Sequence, residues 1–253
     1  MDRLIFTSHS AIAESAIARQ GLVNELANVS TAGFKRSFDM AMRTIKVEGE
    51  GFDSRYQTQV IARDVIDLEP GPIIATNRPM DISLSGASVM GVEAPDGKLA
   101  FTRRGDLKVN ARGVLENGQG HALRGTAGGP LVVPPGFVVQ VNRDGTVFAR
   151  DPNQPAAVGV PVGQLLLRDA SKQPLVRRPD GLFAPQGLPL GSDFPTGPDA
   201  IQITSNSLEG SNVNAVYGMT RMIDQARSFE AQIRAIKQAK DLDESSATLM
   251  KPA

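Results

Sequence analysis

Two histidines, no cysteine and 27 acidic residues set the chemistry open to this chain of 253 residues. Without Cys there is no thiolate nucleophile, no disulfide, no iron–sulfur cluster and no cysteine-type zinc site. His9 and His121 have neither a second His nor a carboxylate four residues on, so neither begins a helical metal pair. His9 reads as a solvent-facing helix residue and His121 as a strand or turn residue. Glycoside cleavage needs two carboxylates close in space, and Asp81, Glu93 and Asp106 stand out no more than any other acid in the chain. Gly118-Gln119-Gly120 is followed by Gly125 rather than by a glycine at dinucleotide spacing, and it lies among turns instead of opening a helix. Asn28-Val29-Ser30 matches a glycosylation triplet but falls at a predicted helix end. No phosphate-binding loop, zinc-protease helix, nucleophile elbow or calcium loop occurs. The expectation is a protein without metal, cofactor or small-molecule substrate, and not an enzyme.

Charge points the same way. Lys plus Arg equals Asp plus Glu at 27 each, with no block of like charges to attract nucleic acid or an anionic membrane. Lys35-Arg36 reads, on spacing alone, as a solvated pair following a helix. The first ten residues hold only the short apolar run Leu4-Ile5-Phe6, too little for a cleavable signal peptide, and no stretch is long enough to span a bilayer. Partners are therefore expected to be proteins, with no nucleic acid and no membrane insertion.

Glycine and proline divide the chain. Of 25 Gly and 17 Pro, 19 and 15 lie in residues 71–200. Because Gly costs about 1 kcal/mol and Pro about 3 kcal/mol inside a helix, that middle cannot be a helical bundle, while both ends can be helical. From Leu4 to Val29 the apolar residues, among them Ile5, Ile12, Val23 and Leu26, recur near a period of 3.6, and Gly33 is expected to end the helix. Near the C-terminus Met219, Met222, Ala226, Phe229, Ile233 and Ile236 recur at alternating steps of three and four, with Ile223 widening the stripe. Asn212 or Asn214 is the expected N-cap. Alternation at Asp81–Ser85, Leu99/Phe101, Leu107/Val109 and Val139/Val141 predicts short strands. Turn signals follow at Asp96-Gly97, Asn117-Gly118, Asp144-Gly145 and Asp180-Gly181. The predicted class is α+β. An N-terminal assembly helix (1–36) leads through an extended connector (37–75) to an irregular all-β domain (76–203). A C-terminal assembly helix (204–253) then packs with the first as a coiled-coil assembly domain.

Specific strings add to this pattern. Asn24, Leu26-Ala27-Asn28 and Gly33-Phe34-Lys35 resemble the N-terminal signature of the flagellar basal-body rod and hook family. Leu208-Glu209-Gly210-Ser211-Asn212-Val213-Asn214, then Met219-Thr220 and Met222-Ile223, are similar to its C-terminal signature. Arg78-Pro79-Met80-Asp81-Ile82 and Phe101-Thr102-Arg103-Arg104-Gly105 are similar to the start of the family's β domain. Two departures are Ser10-Ala11 where Ser-Gly is usual, and Ala87-Ser88-Val89-Met90-Gly91 in place of a Gly-Phe-Phe type strand. The opening Met1-Asp2-Arg3-Leu4-Ile5 most resembles the proximal-rod branch that carries a β domain.

The resemblance implies a structural subunit of the rod crossing the periplasm. It also implies export through the flagellar type III apparatus without a cleaved signal peptide, and partners that are the chain itself and other rod proteins. Its terminal helices would form the inner layer of the rod, with the β domain outside. The alternatives are a distal-rod subunit of the same family and, from another class, a periplasmic glycan-binding or glycan-cleaving β protein. Absence of Trp and only two Tyr speak against sugar platforms.

Overall fold

A computed structural model describes residues 2–37, 41–46, 56–61, 65–154 and 159–249. Parts of the stretch read as an extended connector, and the side chain of Ile5, lie outside the described residues. The two long elements are helices at the ends, α1 (Asp2–Ala27) and α2 (Ala215–Leu249). At 1.5 Å per residue α2 is about 50 Å long. Asn214 caps it, its Oδ1 accepting from the Tyr217 backbone N–H at 3.0 Å.

The chain forms two compact units. One is built from both ends and a central piece, Met1–Ala27, Asp39–Arg63 and Asn214–Ala253. In it α1 packs along α2, and a hairpin of β1 (Ala41–Lys46) and β2 (Tyr56–Ile61) places β2 against α1. This hairpin falls within the predicted connector. Helix packing is close at Gly218, where an added Cβ would stand 2.7 Å from Leu26 Cδ2.

The second unit, Asn28–Phe38 and Asp64–Val213, carries the remaining strands. Its main sheet has the order β12 (Leu167–Asp169), β5 (Ser88–Glu93), β6 (Leu99–Thr102), β14 (Phe183–Pro185), β13 (Leu175–Arg177), with antiparallel pairings throughout. A three-stranded sheet runs β11 (Val160–Gln164), β10 (Thr146–Arg150), β9 (Val138–Val141). Two-stranded ribbons pair β3 (Ile73–Ala75) with β16 (Ser207–Glu209), β4 (Ile82–Leu84) with β15 (Ile203–Ser205), and β7 (Leu107–Val109) with β8 (Leu115–Asn117).

The main sheet is buried on both faces. Side chains alternate across a strand, so Met90, Val92 and Ala100 enter one core with Leu107, Leu115, Leu123 and Val147. Val89, Leu99 and Phe101 enter another with Leu175, Phe183 and Phe194. The Phe101 and Phe194 rings sit 4.9 Å apart, tilted by 60°. Two-sided burial explains why Ser88-Val89-Met90-Gly91 departs from simple alternation: every position faces protein. The predicted strands at Leu99/Phe101, Leu107/Val109 and Val139/Val141 are present, and the backbone is left-handed at Gly97, Gly145 and Gly181. At Asn117-Gly118 the left-handed residue is instead Gly120, and Asn117 Oδ1 accepts from the Gln119 and His121 N–H groups. The molecule is α+β, with two helices and a mostly β remainder among the described residues.

Truncating Leu115, fully buried in the larger core, is expected to lower the stability of the β unit by about 2–5 kcal/mol. Denaturant titration of Leu115→Ala tests this, and a loss below 1 kcal/mol would mean that the core is not closed.

Candidate functional site

Three charged side chains are fully buried where the two ends of the β unit's chain come together. Lys35 and Glu209, 174 residues apart, meet with their side chains at 0% exposure, Nζ lying 2.6 Å from Oε1. Arg103 Nε donates to the other oxygen, Oε2, at 2.7 Å, and is buried to the same degree. One carboxylate thus sits between two cations. Main-chain carbonyls take further donors: Lys35 Nζ donates to Glu69 C=O at 2.6 Å, and Arg103 to the carbonyls of Gly86, Ser88 and Leu84 at 2.6, 2.8 and 2.9 Å. Glu209 Oε1 also accepts the Gly71 N–H at 2.9 Å. Such satisfaction is what makes buried charge tolerable.

Backbone contacts bring the segments close enough for this. Gly33 N–H donates to Glu209 C=O at 2.7 Å. With φ at +69°, a Cβ at Gly33 would lie 2.5 Å from the Arg103 carbonyl oxygen. At Gly71 a Cβ would lie 2.2 Å from the Gly210 oxygen. Gly33 was expected to close the first helix, but α1 ends six residues earlier, and the left-handed turn instead lets the chain pass against Arg103. Lys35, expected to be solvated, is fully buried, because its partner comes from the far end of the chain.

Asn212 completes the junction. Its Oδ1 accepts from Arg36 N–H at 2.7 Å, its Nδ2 donates to the Asp67 and Glu69 carbonyls at 3.0 and 3.3 Å, and its N–H donates to Phe34 C=O. Asp67 pairs with Arg36 at 2.8 Å. The Arg177 guanidinium stacks 4.3 Å from the Phe34 ring centroid and donates to Lys35 C=O. Ser211 Oγ accepts from Val213 N–H at 3.2 Å, Leu208 pairs with Ile74, and Asn28 Oδ1 accepts from Thr31 Oγ1 at 3.1 Å. The N- and C-terminal motifs therefore converge, Gly33-Phe34-Lys35 on Glu209 and Asn212. Asn24, Leu26 and Ala27 lie on α1 instead. Arg103 and Asp67 are partners that sequence reasoning did not single out. Arg103 stood in a recognised motif, but nothing local marked it as buried.

The apolar stripes divide between two faces of the helical unit. Met222, Phe229, Ile236, Ile12 and Leu26 are half-buried. Met219, Ile223 and Ile233 are 58%, 54% and 45% exposed, Val23 is 48% exposed, and Ala226 is exposed. Among the described residues no group of three or more His, Asp or Glu is arranged to hold a metal, and no helix is long and apolar enough to cross a membrane.

Two family models match parts of the chain. The family model described as flagellar basal body rod FlgEFG protein C-terminal matches residues 204–249, and that of the flagellar hook protein FlgE/F/G D1 domain matches residues 83–149. The flagellar basal-body rod protein FlgF of Escherichia coli (strain K12) is 36% identical over 249 residues, 95% of each chain. FlgF of Salmonella typhimurium (strain LT2) is 36% identical over 244 residues, 93% of each. The flagellar basal-body rod protein FlgG of Agrobacterium fabrum is 28% identical over 240 residues, 87% of this chain and 89% of the relative.

Removing the central charge tests the junction. Glu209→Gln leaves two buried cations without their anion and is expected to destabilise the β unit by about 3–5 kcal/mol, read from denaturant midpoints. Burial, and then the Arg103 charge, hold Lys35 below its ordinary pKa of 10.5, while Glu209 pulls the other way. Between that lowered value and 10.5 the unfolded chain binds more protons than the folded one, so Lys35's contribution to stability rises with pH across this window. By NMR, Lys35 should titrate below the exposed lysines in the native chain, and lower still in Glu209→Gln. An unshifted Lys35 would contradict the geometry.

Proposed function

Because the chain belongs to the flagellar basal-body rod protein family, we propose that it builds the rod through its paired ends and carries its β unit as the body of the subunit. It is a structural subunit of the flagellar basal-body rod and not an enzyme, and it assembles with other rod components. The observation that carries this is 36% identity to FlgF across 95% of both chains. FlgG relatives match at 28% and below, so the proximal-rod reading is favoured over the distal one. No observation favours a protein that binds or cleaves glycan.

The assembly surface is the exposed apolar stripe of α2, Val216, Met219, Ile223, Ala226 and Ile233, together with Val23 on α1. Solvated apolar surface of this kind is stabilised by burial at about 25 cal/mol per Å². A heterologous contact repeated from subunit to subunit propagates instead of closing. In the assembled rod the helices pair as coiled coils, and Met222, Phe229, Ile236, Ile12 and Leu26 form the seam within each chain. Export through the flagellar type III apparatus without a cleaved signal, and a final position crossing the periplasm, complete the reading. A chain with no Cys suits passage in an unfolded form.

Ile233→Asp places a charge on the exposed stripe. It should abolish or strongly reduce rod incorporation and motility while shifting the melting temperature of the β unit by less than about 2 °C, since surface substitutions usually stay within 0.5 kcal/mol. Full motility in this variant would remove the stripe from the assembly surface.

A further inference from the structure

Asn117 is the only asparagine in the chain that a glycine follows. The pair carries a latent reaction, because glycine has no side chain to keep its nitrogen from the neighbouring amide carbon. The Gly118 nitrogen attacks Asn117 Cγ, its proton passes through solvent to Nδ2, and the Cγ–Nδ2 bond breaks as ammonia leaves and a cyclic imide forms. Water then opens the imide at either carbonyl, giving aspartate or isoaspartate without oxidant or cofactor. In the fold both residues are held where other groups need them. Asn117 ends β8, is 0% exposed, and its Oδ1 accepts the Gln119 and His121 N–H groups at 3.1 and 3.0 Å. Main-chain bonds close the same loop, from Asn117 N–H to His121 C=O at 3.0 Å and from Gly120 N–H to Asn117 C=O at 2.9 Å. Gly118 is fixed from the other side. Its N–H donates to Asp106 Oδ1 at 3.4 Å, and a Cβ there would stand 2.0 Å from Asp106 Oδ2 and 2.9 Å from Arg104 Nη2. Arg104 holds that carboxylate through Nε and Nη2 at 2.7 and 2.8 Å. Glycine is thus required for space and asparagine for its acceptor, so the packing itself retains the labile pair.

We propose that Asn117-Gly118 is a modification site guarded by folding: it converts through the imide while the loop is open and is held as asparagine once β7 and β8 have closed. Ring closure needs the Gly118 nitrogen and Asn117 Cγ free to turn toward each other. In the closed loop two N–H groups fix the amide through Oδ1, and Asp106 engages the Gly118 N–H. Nδ2 lies buried with no partner among the described residues, so no described group is placed to protonate it as it departs. Reaction then proceeds only from the open fraction of the chain, which is small wherever a segment is well packed. The product also bars return. Isoaspartate lengthens the main chain by one methylene at a residue with no exposure, and aspartate sets a charge there. A chain left unfolded therefore loses this loop with time. Nothing in this depends on the rod-subunit reading; β7, β8 and Asp106 suffice.

The test follows the tryptic peptide 113–124 by mass spectrometry after the full chain is incubated at mildly alkaline pH, folded in buffer or unfolded in guanidinium chloride. In the unfolded chain Asn117 should convert before any other asparagine, and in the folded chain at least tenfold more slowly. Asp106→Ala, which frees the Gly118 N–H, should raise the folded-state rate severalfold while the far-ultraviolet signal stays native. After ageing in denaturant and refolding, the protease-resistant fraction should be depleted in isoaspartate at position 117. Equal rates in the folded and unfolded chain overturn the proposal, as does earlier conversion of another asparagine. An unchanged rate in Asp106→Ala, or isoaspartyl chains that refold as well as unmodified ones, overturns it too.

Discussion

A single carboxylate organises the β unit at the places where its chain enters, returns and leaves. Glu209 Oε1 holds Lys35 from the entering segment and the Gly71 N–H from the returning one, while Oε2 holds Arg103, the residue that follows β6. Glu209 itself belongs to β16, just before the chain leaves. Charges buried to this degree are screened far less by salt than surface charges, and each partner makes the others tolerable. The glycines follow from this arrangement: backbone at Gly33 and Gly71 must come closer to Arg103 and Gly210 than any side chain permits.

The helical unit follows the opposite rule. Its seam holds Gly218, Met222, Gln225, Phe229, Gln232, Ile236 and Ala239, and its exposed stripe still holds Met219, Ile223 and Ile233. If stability of the isolated chain were all that mattered, Met219, Ile223 and Ile233 would be covered as well. The observed distribution leaves apolar surface free for another protein, which is the pattern expected of a chain whose helices are completed by neighbours. One chain thus joins a β unit anchored by buried charge to ends that keep an apolar stripe exposed.

The helices at the ends, the β middle and most tight turns were legible because they depend on local chemistry, chiefly the placement of Gly, Pro and Asp-Gly. The Lys35–Glu209–Arg103 cluster was not legible from spacing, because its members are separated by 68 to 174 residues and each looks like an ordinary surface charge in its own window. Family motifs pointed to Lys35 and Glu209 without giving a reason for them. The phase of the α2 seam was half legible. Apolar periodicity selected Met219 through Ile236 and so mixed the two faces, since Gly218, Gln225 and Gln232 carry no hydrophobic signal. The β1–β2 hairpin escaped because its weak alternation, through Gln57 and Gln59, resembles that of a polar connector.

The same separation in sequence constrains how the β unit can form. Lys35 and Arg103 are made well before Glu209 in chain order, and until β16 pairs with β3 neither cation has its anion. A buried charge without its partner is strongly unfavourable, so the junction can close only when residues 207–213 dock. Docking of this segment brings Glu209 to both cations, and Asn212 bridges the entering and returning segments. The C-terminal motif lies where the chain is about to pass into α2, so the folded state of the β unit depends on the segment from which the assembling helix emerges.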